Sequence, residues 1–186
     1  EAKNKSWFNN TVFVFCADHW SQPNDLHDPI DPEKSFRIPL FIYDPQNPVK
    51  KIHSSPVSQL DILNTLLAYA AYSDSLTSYG VNLMETPDDP DRVVFTKLNN
   101  AIYQAINRQY VLGYNVYEGK PAYAYDLVND PSRKNDLLLA SDTRKLDPLI
   151  TQLQAFLKTL SLHYLEKNSR NCKPGLNNIL ECSILT

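Results

Sequence analysis

The chain has 186 residues, enough to bury a sizeable core, and its 42% apolar and 21% charged fractions are those of an ordinary globular protein. A net charge of −3 supplies no basic field for a nucleic-acid partner, and no apolar run approaches the ~20 residues of a membrane span. Thirteen Pro against four Gly, with eleven Tyr, point to rigid loops and aromatic packing, not to a low-complexity chain.

In chain order, Glu1 to Asn10 has a helix-tolerant composition, with Trp7 and Phe8 available to pack on a sheet and Asn9-Asn10 as a stop. These residues lack the apolar core of a signal peptide. Thr11 to His19 (TVFVFCADH) is the most informative stretch, an unbroken apolar run that stops at a carboxylate followed at once by an imidazole. Being apolar on both faces, the run predicts a central parallel strand covered by helices on each side. Asp18 and His19 then fall at its carboxyl end, the edge at which open α/β sheets bind ligands. A hard oxygen beside an imidazole nitrogen suits Mn²⁺, Zn²⁺ or Mg²⁺, although the same dipeptide also fits a turn with a capping Asp. Cys16, inside the strand, is expected to be a small buried side chain.

Ser21 to Lys34 holds three prolines, several Asp and no periodic pattern, so it reads as a loop leaving the candidate site. His27 within it is either a substrate or metal group or an exposed loop histidine. Phe36 to Tyr43 (FRIPLFIY) predicts a second buried strand, and Pro39, lacking a ladder donor, places that strand at an edge or delays its start. Ser55 to Tyr72 carries Leu60, Leu63, Leu66, Leu67 and Ala70 at helical spacing, with Ser55, Ser58 or Asp61 as N-cap, and this helix is expected to cover the first sheet. His53 just before it is a substrate-contact candidate or a helix-flanking surface histidine.

The acidic, turn-rich connection Ser73 to Asp91 suggests a boundary, dividing the chain into residues 1–90 and 91–186. Beyond it, Val93 to Thr96, Ala101 to Ile106, Tyr110 to Val116 and Ala122 to Leu127, separated by polar turns, predict an antiparallel meander. Asp147-Pro148 then reads as N-cap and N1 of a closing helix whose apolar face is Leu149, Leu153, Phe156 and Leu160, with His163 as a surface or dipole-complementing group. Cys172 and Cys182 could close a short disulfide, which would place the chain outside the cytoplasm, or could stay free.

Five strings occur in one order: AKNKSWFNNTVFVFCADH (Ala2 to His19), FRIPLFIYDP (Phe36 to Pro45), SQLDILNTLL (Ser58 to Leu67), SYGVNL (Ser78 to Leu83) and YDLVNDPSRKNDLL (Tyr125 to Leu138). Together they resemble the C-terminal part of the sulfatase domain in the alkaline phosphatase superfamily, in particular its lipoteichoic-acid synthase and phosphoglycerol transferase branch. The resemblance implies an α/β fold: the C-terminal part of a mostly parallel sheet flanked by helices, followed by a small antiparallel sheet with a C-terminal helix. It also implies a divalent metal, Mn²⁺ before Mg²⁺, Zn²⁺ or Ca²⁺, held by Asp18, His19 and an acidic residue upstream of this chain. The nucleophile, threonine in the transferase branch and a modified Cys or Ser in sulfatases, is expected upstream as well, leaving no catalytic nucleophile here.

Trp20 stands where relatives carry a small residue, so the site rim would be bulkier and able to stack on a sugar or glycerol, with Ser21, His27 and His53 as further substrate-side candidates. Asn64 replaces a proline common in the family's helix start, which only restores a backbone donor. The implied partners are the N-terminal part of the same protein, a membrane reached through an upstream anchor, and a phospholipid head group, glycan or sulfate ester as substrate, on the extracytoplasmic side of a bacterial membrane. The expected function is metal-dependent chemistry on phosphodiesters or sulfate esters, with this chain inactive alone. The alternative is a catalytically silent sulfatase-fold domain with a lipid-binding or regulatory role. A free-standing binding module fits least, because the first strand needs sheet neighbours.

Overall fold

A computed structural model describes residues 1–18, 37–48, 50 and 52–169, with side chains as far as residue 165. Two short 3-10 turns, Ala2–Asn4 and Phe8–Asn10, lead into strand β1 (Phe13–Cys16). Strand β2 (Leu40–Tyr43) begins at the residue after Pro39, where the chain first regains a free N–H to pair. The two strands form an antiparallel ribbon, Phe13 facing Tyr43 and Cys16 facing Leu40. A run apolar on both faces says that both want cover but does not encode strand direction, and here the pairing is antiparallel where parallel neighbours were expected. Register puts Phe13, Phe15, Phe41 and Tyr43 on one face, where Phe8 packs 5.3 Å from Phe13 and Trp7 6.2 Å from it, ring centre to ring centre. Phe15 (58%) and Phe41 (64%) remain exposed on that face.

Helix α1 (Leu60–Tyr69) is entered through Ser58, whose hydroxyl accepts from Leu60 N–H while its own N–H donates to Asp61 at 2.7 Å. The two bonds tie the chain reciprocally to the first turn, one residue ahead of the N-cap Gln59. The buried face of α1 is not the leucine stripe: Asp61 and Thr65 are fully buried, whereas Leu60 (43%) and Leu63 (52%) are exposed. The cause is the 73–92 connection, which lies on the polar face. Val81 N–H donates to Asp61 at 2.9 Å, Leu83 N–H to the Thr65 hydroxyl at 3.0 Å, and the Asn64 amide to the Gly80 carbonyl at 2.5 Å. Gly80 permits this approach, because a Cβ there would run into the Leu60 carbonyl. The same helix meets the ribbon at its tip, Gln59 donating to the Ala17 carbonyl at 2.9 Å, and encloses with β2 a cleft of about 670 Å³ lined by Leu40, Ile42, Val57, Tyr69 and Leu83.

The four segments predicted as a meander form a sheet in sequence order, every pair antiparallel: β3 (Val94–Lys97), β4 (Ile102–Ile106), β5 (Tyr110–Asn115) and β6 (Lys120–Asp126). One face packs on helix α2 (Asp147–Ser169), burying Ala105, Leu112, Tyr114 and Ala124 against Leu146, Leu149 and Leu153. Asp147 is already helical, continuing the 3-10 turn Arg144–Leu146, so it is the first turn of α2 and not a cap outside it. On the opposite face Gln104, fully buried, accepts from the Thr96 hydroxyl at 2.9 Å and donates to the Tyr123 hydroxyl at 2.8 Å. Gly113, between Gln104 and Tyr123 in register, leaves room for the tyrosine ring, which a Cβ would overlap. The string after Tyr125 is folded by its carboxylates: Asp126 accepts from the backbone of Val128 and Asn129, Asp130 from Asn135, and Asp136 from Leu138 and Ala124.

Candidate functional site

The site is the carboxyl tip of β1. Ala17 N–H donates to the Pro39 carbonyl at 3.4 Å and the Ala17 carbonyl accepts from Gln59, so the tip is tied both to the residue before β2 and to the N-terminus of α1. Asp18 follows in a bend, exposed. Cys16 is exposed, not buried as expected. It sits at the last pair of the ribbon, where its thiol donates to the Ala17 carbonyl at 3.2 Å and lies 3.6 Å from the Gln59 amide nitrogen. A strand end has neighbours on one side only, so apolar composition did not guarantee cover there.

His19, Trp20, Ser21 and His27 lie outside the described residues, as do Cys172 and Cys182. Among the described residues no three His, Cys, Asp or Glu side chains converge as a metal site. Asp18 offers one hard oxygen, suited to be one ligand among several, and the described residues do not complete a metal centre at this tip.

The structure places His53 beside Asp88. Its Nδ1 lies 3.3 Å from Asp88, whose carboxylate also accepts from the backbone and hydroxyl of Ser54 and from the Ser55 hydroxyl at 2.9 Å. The Ser55 hydroxyl, then the Ser54 amide and hydroxyl, hold the Asp88 carboxyl far below the usual carboxylate range against a small opposing effect of burial. This cluster staples the loop before α1 to the 73–92 connection, and His53 lines the cleft beside β2, not the one reached by Cys16. A second staple escaped sequence reasoning. Arg92 reaches Asp61 at 2.7 and 2.8 Å and the Pro56 carbonyl at 2.8 Å. Asp61 was visible only as a capping candidate, and nothing in the sequence links it to an arginine 31 residues on. His163 accepts from or donates to the Tyr79 hydroxyl at 2.5 Å, and Tyr79 meets edge-on the Phe156 ring that stacks 4.5 Å from Phe95.

Beside the β1 tip a cleft of about 660 Å³ runs between Ser54 to Leu60 on one wall and β3 with the β4–β5 turn on the other.

Residues 2–72 match the family model Sulfatase. Over 84 residues, 41% of the chain, the sequence is 36% identical to an arylsulfatase of Clostridium perfringens (strain 13 / Type A), of which this covers 18%. Three solved structures share the fold. BT4656, solved in complex with its substrate D-glucosamine-2-N,6-O-disulfate, superposes at a TM-score of 0.57 over 82% of this chain and 35% of its own, with 18% identity. A Bacteroides thetaiotaomicron VPI-5482 protein assigned as a sulfatase gives 0.53 over 93% and 40% with 16% identity, and BT1596, a 2-O GAG sulfatase, gives 0.50 over 94% and 41% with 17% identity. The chain therefore spans less than half the length of each of these relatives. By sequence residues 2–72 match the sulfatase family, and by fold the chain corresponds to a portion of sulfatase structures, its antiparallel sheet and closing helix included.

Proposed function

We propose that the protein containing this chain hydrolyses sulfate esters, with Asp18 and His19 at the tip of β1 as two ligands of a divalent cation, Mn²⁺ before Mg²⁺, Zn²⁺ or Ca²⁺. The observation that supports this reading is the exposed Asp18 at the carboxyl tip of a strand inside the segment that matches the sulfatase model. Such a cation, when bound, would offset negative charge building on the ester oxygens and lower the pKa of a nucleophile. This chain's part is to hold the carboxylate in place: Gln59 and Pro39 fix Ala17, and so set where Asp18 leaves the strand. The nucleophile and a further acidic ligand would come from an upstream part of the same protein, which would also cover the aromatic face of the ribbon. Trp20, Ser21, His27 and His53 are retained as substrate-side residues, and the extracytoplasmic face of a bacterial membrane as location. Among the described residues no helix is long and apolar enough to cross a membrane.

The test is turnover of a chromogenic sulfate ester and a chromogenic phosphodiester by the full-length protein, with and without Mn²⁺, beside Asp18→Ala. Sulfate-ester hydrolysis that needs the cation and falls by about two orders of magnitude in the variant, at unchanged melting temperature, is the expected outcome. Preference for the phosphodiester would instead favour the phosphoglycerol transferase branch. No turnover of either ester would favour a silent lipid-binding or regulatory domain, and wild-type turnover by Asp18→Ala would remove the metal role.

A further inference from the structure

Pro39 leaves a gap in the ladder of the ribbon, and a side chain fills it. The register that pairs Cys16 with Leu40 places Ala17 opposite Pro39. Facing residues of an antiparallel pair alternate between those that exchange two backbone hydrogen bonds and those that exchange none. Ala17 N–H donates to the Pro39 carbonyl at 3.4 Å, so this pair is of the exchanging kind. Its second bond would run from the N–H of residue 39 to the Ala17 carbonyl, and proline has no N–H. The Gln59 side-chain amide takes that place, donating to the Ala17 carbonyl at 2.9 Å. The Cys16 thiol donates to the same carbonyl at 3.2 Å, but a thiol is a weak donor, and the Gln59 amide lies 3.6 Å from its sulfur as well. The tip of β1 is thus closed by a side chain 42 residues on, from the helix and not from the partner strand. Gln59 is suited to this. It is the N-cap of α1 but makes no side-chain cap bond, so the helix does not engage its amide. Its backbone is pinned on either side by the 73–92 connection: Asp88 holds Ser54 and Ser55, and Arg92 holds the Pro56 carbonyl and Asp61, which in turn accepts from Ser58 N–H. Asp18 is the residue next after the anchored carbonyl, so slack at Ala17 becomes displacement of the carboxylate. A misplacement of about 1 Å can cost on the order of 100-fold in rate.

We propose that Gln59 is a positioning residue, standing in for the N–H that Pro39 lacks and so coupling the direction in which Asp18 leaves β1 to the N-terminus of α1. That the positioned carboxylate serves hydrolysis rests on the sulfate-ester reading above; the replacement of a missing ladder donor by a side chain does not. The experiment compares the full-length wild type with Gln59→Met, Pro39→Ala and the Gln59→Met/Pro39→Ala double variant. It reads amide exchange of the peptide spanning Ala17 and Asp18 by mass spectrometry, Mn²⁺ affinity by calorimetric titration, and kcat and KM on the chromogenic sulfate ester. In Gln59→Met the tip amides are expected to exchange at least about tenfold faster, Mn²⁺ to bind about tenfold more weakly, and kcat to fall about tenfold with KM within about twofold of wild type. The melting temperature should change little, because Gln59 is exposed and its side chain caps no helix. Pro39→Ala in the Gln59→Met background returns a backbone N–H to the position opposite Ala17 and should bring exchange, affinity and kcat back towards wild type. A general gain in stability would not account for that rescue, since replacing a proline frees the unfolded chain. Wild-type exchange in Gln59→Met, or no rescue by Pro39→Ala, would overturn the proposal. If exchange responds and is rescued while no sulfate ester is ever turned over, the positioning role stands and the hydrolase reading falls. If turnover is normal and Gln59→Met changes neither exchange, Mn²⁺ affinity nor kcat, the reverse holds.

Discussion

Asp61 and Arg92 show at single-residue scale how this fold is held. Asp61 is fully buried, and removing the guanidinium would leave its charge short of a partner in the interior, so Arg92→Ala is expected to lower stability by ~3 kcal/mol in denaturant melts. Loss below 1 kcal/mol would mean that the Val81 and Ser58 amides satisfy the carboxylate unaided. Asp88 acts through pH. Its folded carboxyl lies below the ordinary value of about 3.9, so the native state sheds that proton more readily than the unfolded chain. The resulting stabilisation is complete above pH ~4 and is lost as the pH falls through the folded-state value. Asp88→Asn should therefore melt lower than wild type at pH 7, with the gap between the two narrowing below pH 4. A gap independent of pH would show that the Ser54 and Ser55 contacts do not depend on ionisation.

At the scale of elements, the antiparallel sheet and α2 form the well-packed half. Leu153 is fully buried in their shared core, and Leu153→Ala should cost 2–5 kcal/mol as transfer and cavity terms add, with the range set by how far the site collapses. On the other face Tyr123→Phe removes the hydroxyl that receives the Gln104 amide, and an unpaired buried donor is worth about 1–3 kcal/mol. Burial raises the Tyr123 phenol above its ordinary value, while the Gln104 bond lowers it and Tyr125 adds to the rise, so the hydroxyl that accepts from Gln104 stays protonated through the neutral range. Helix α1 is held differently, by polar groups and close backbone approach. Gly80→Ala should push the 73–92 connection off the helix, which amide exchange at Val81 and Leu83 would report as faster opening.

For the whole molecule, the exposed aromatic face of the ribbon and the exposed Leu60 and Leu63 make up apolar surface of the kind that marks interaction sites. If an upstream part of the protein covers it, as proposed, residues 1–186 alone should bind a hydrophobic dye and self-associate, and Phe15→Ser with Phe41→Ser should reduce both. The longer protein should show neither. The isolated chain should also fail to turn over a sulfate ester. Turnover by residues 1–186 that is lost in Asp18→Ala would place the nucleophile within this chain.

Local pattern determined a good deal of this protein. Polar turns between short apolar segments yielded the four-stranded meander, the Leu149, Leu153 and Phe156 stripe yielded the core face of α2, and Pro39 dictated where β2 begins, because each depends on neighbours a few residues away. The composition of TVFVFCADH located Asp18 at a strand tip for the same reason. What required the tertiary structure was everything decided by distant partners. The leucines of α1 had helical spacing, but the 73–92 connection took the opposite face, since Asp61, Asn64 and Thr65 could satisfy its backbone and leucines could not. The meeting of His53 with Asp88, 35 residues on, needed the fold, and Arg37, Lys97 and Arg108, unremarkable surface charges in sequence, line one cleft only because tertiary packing brings their segments together.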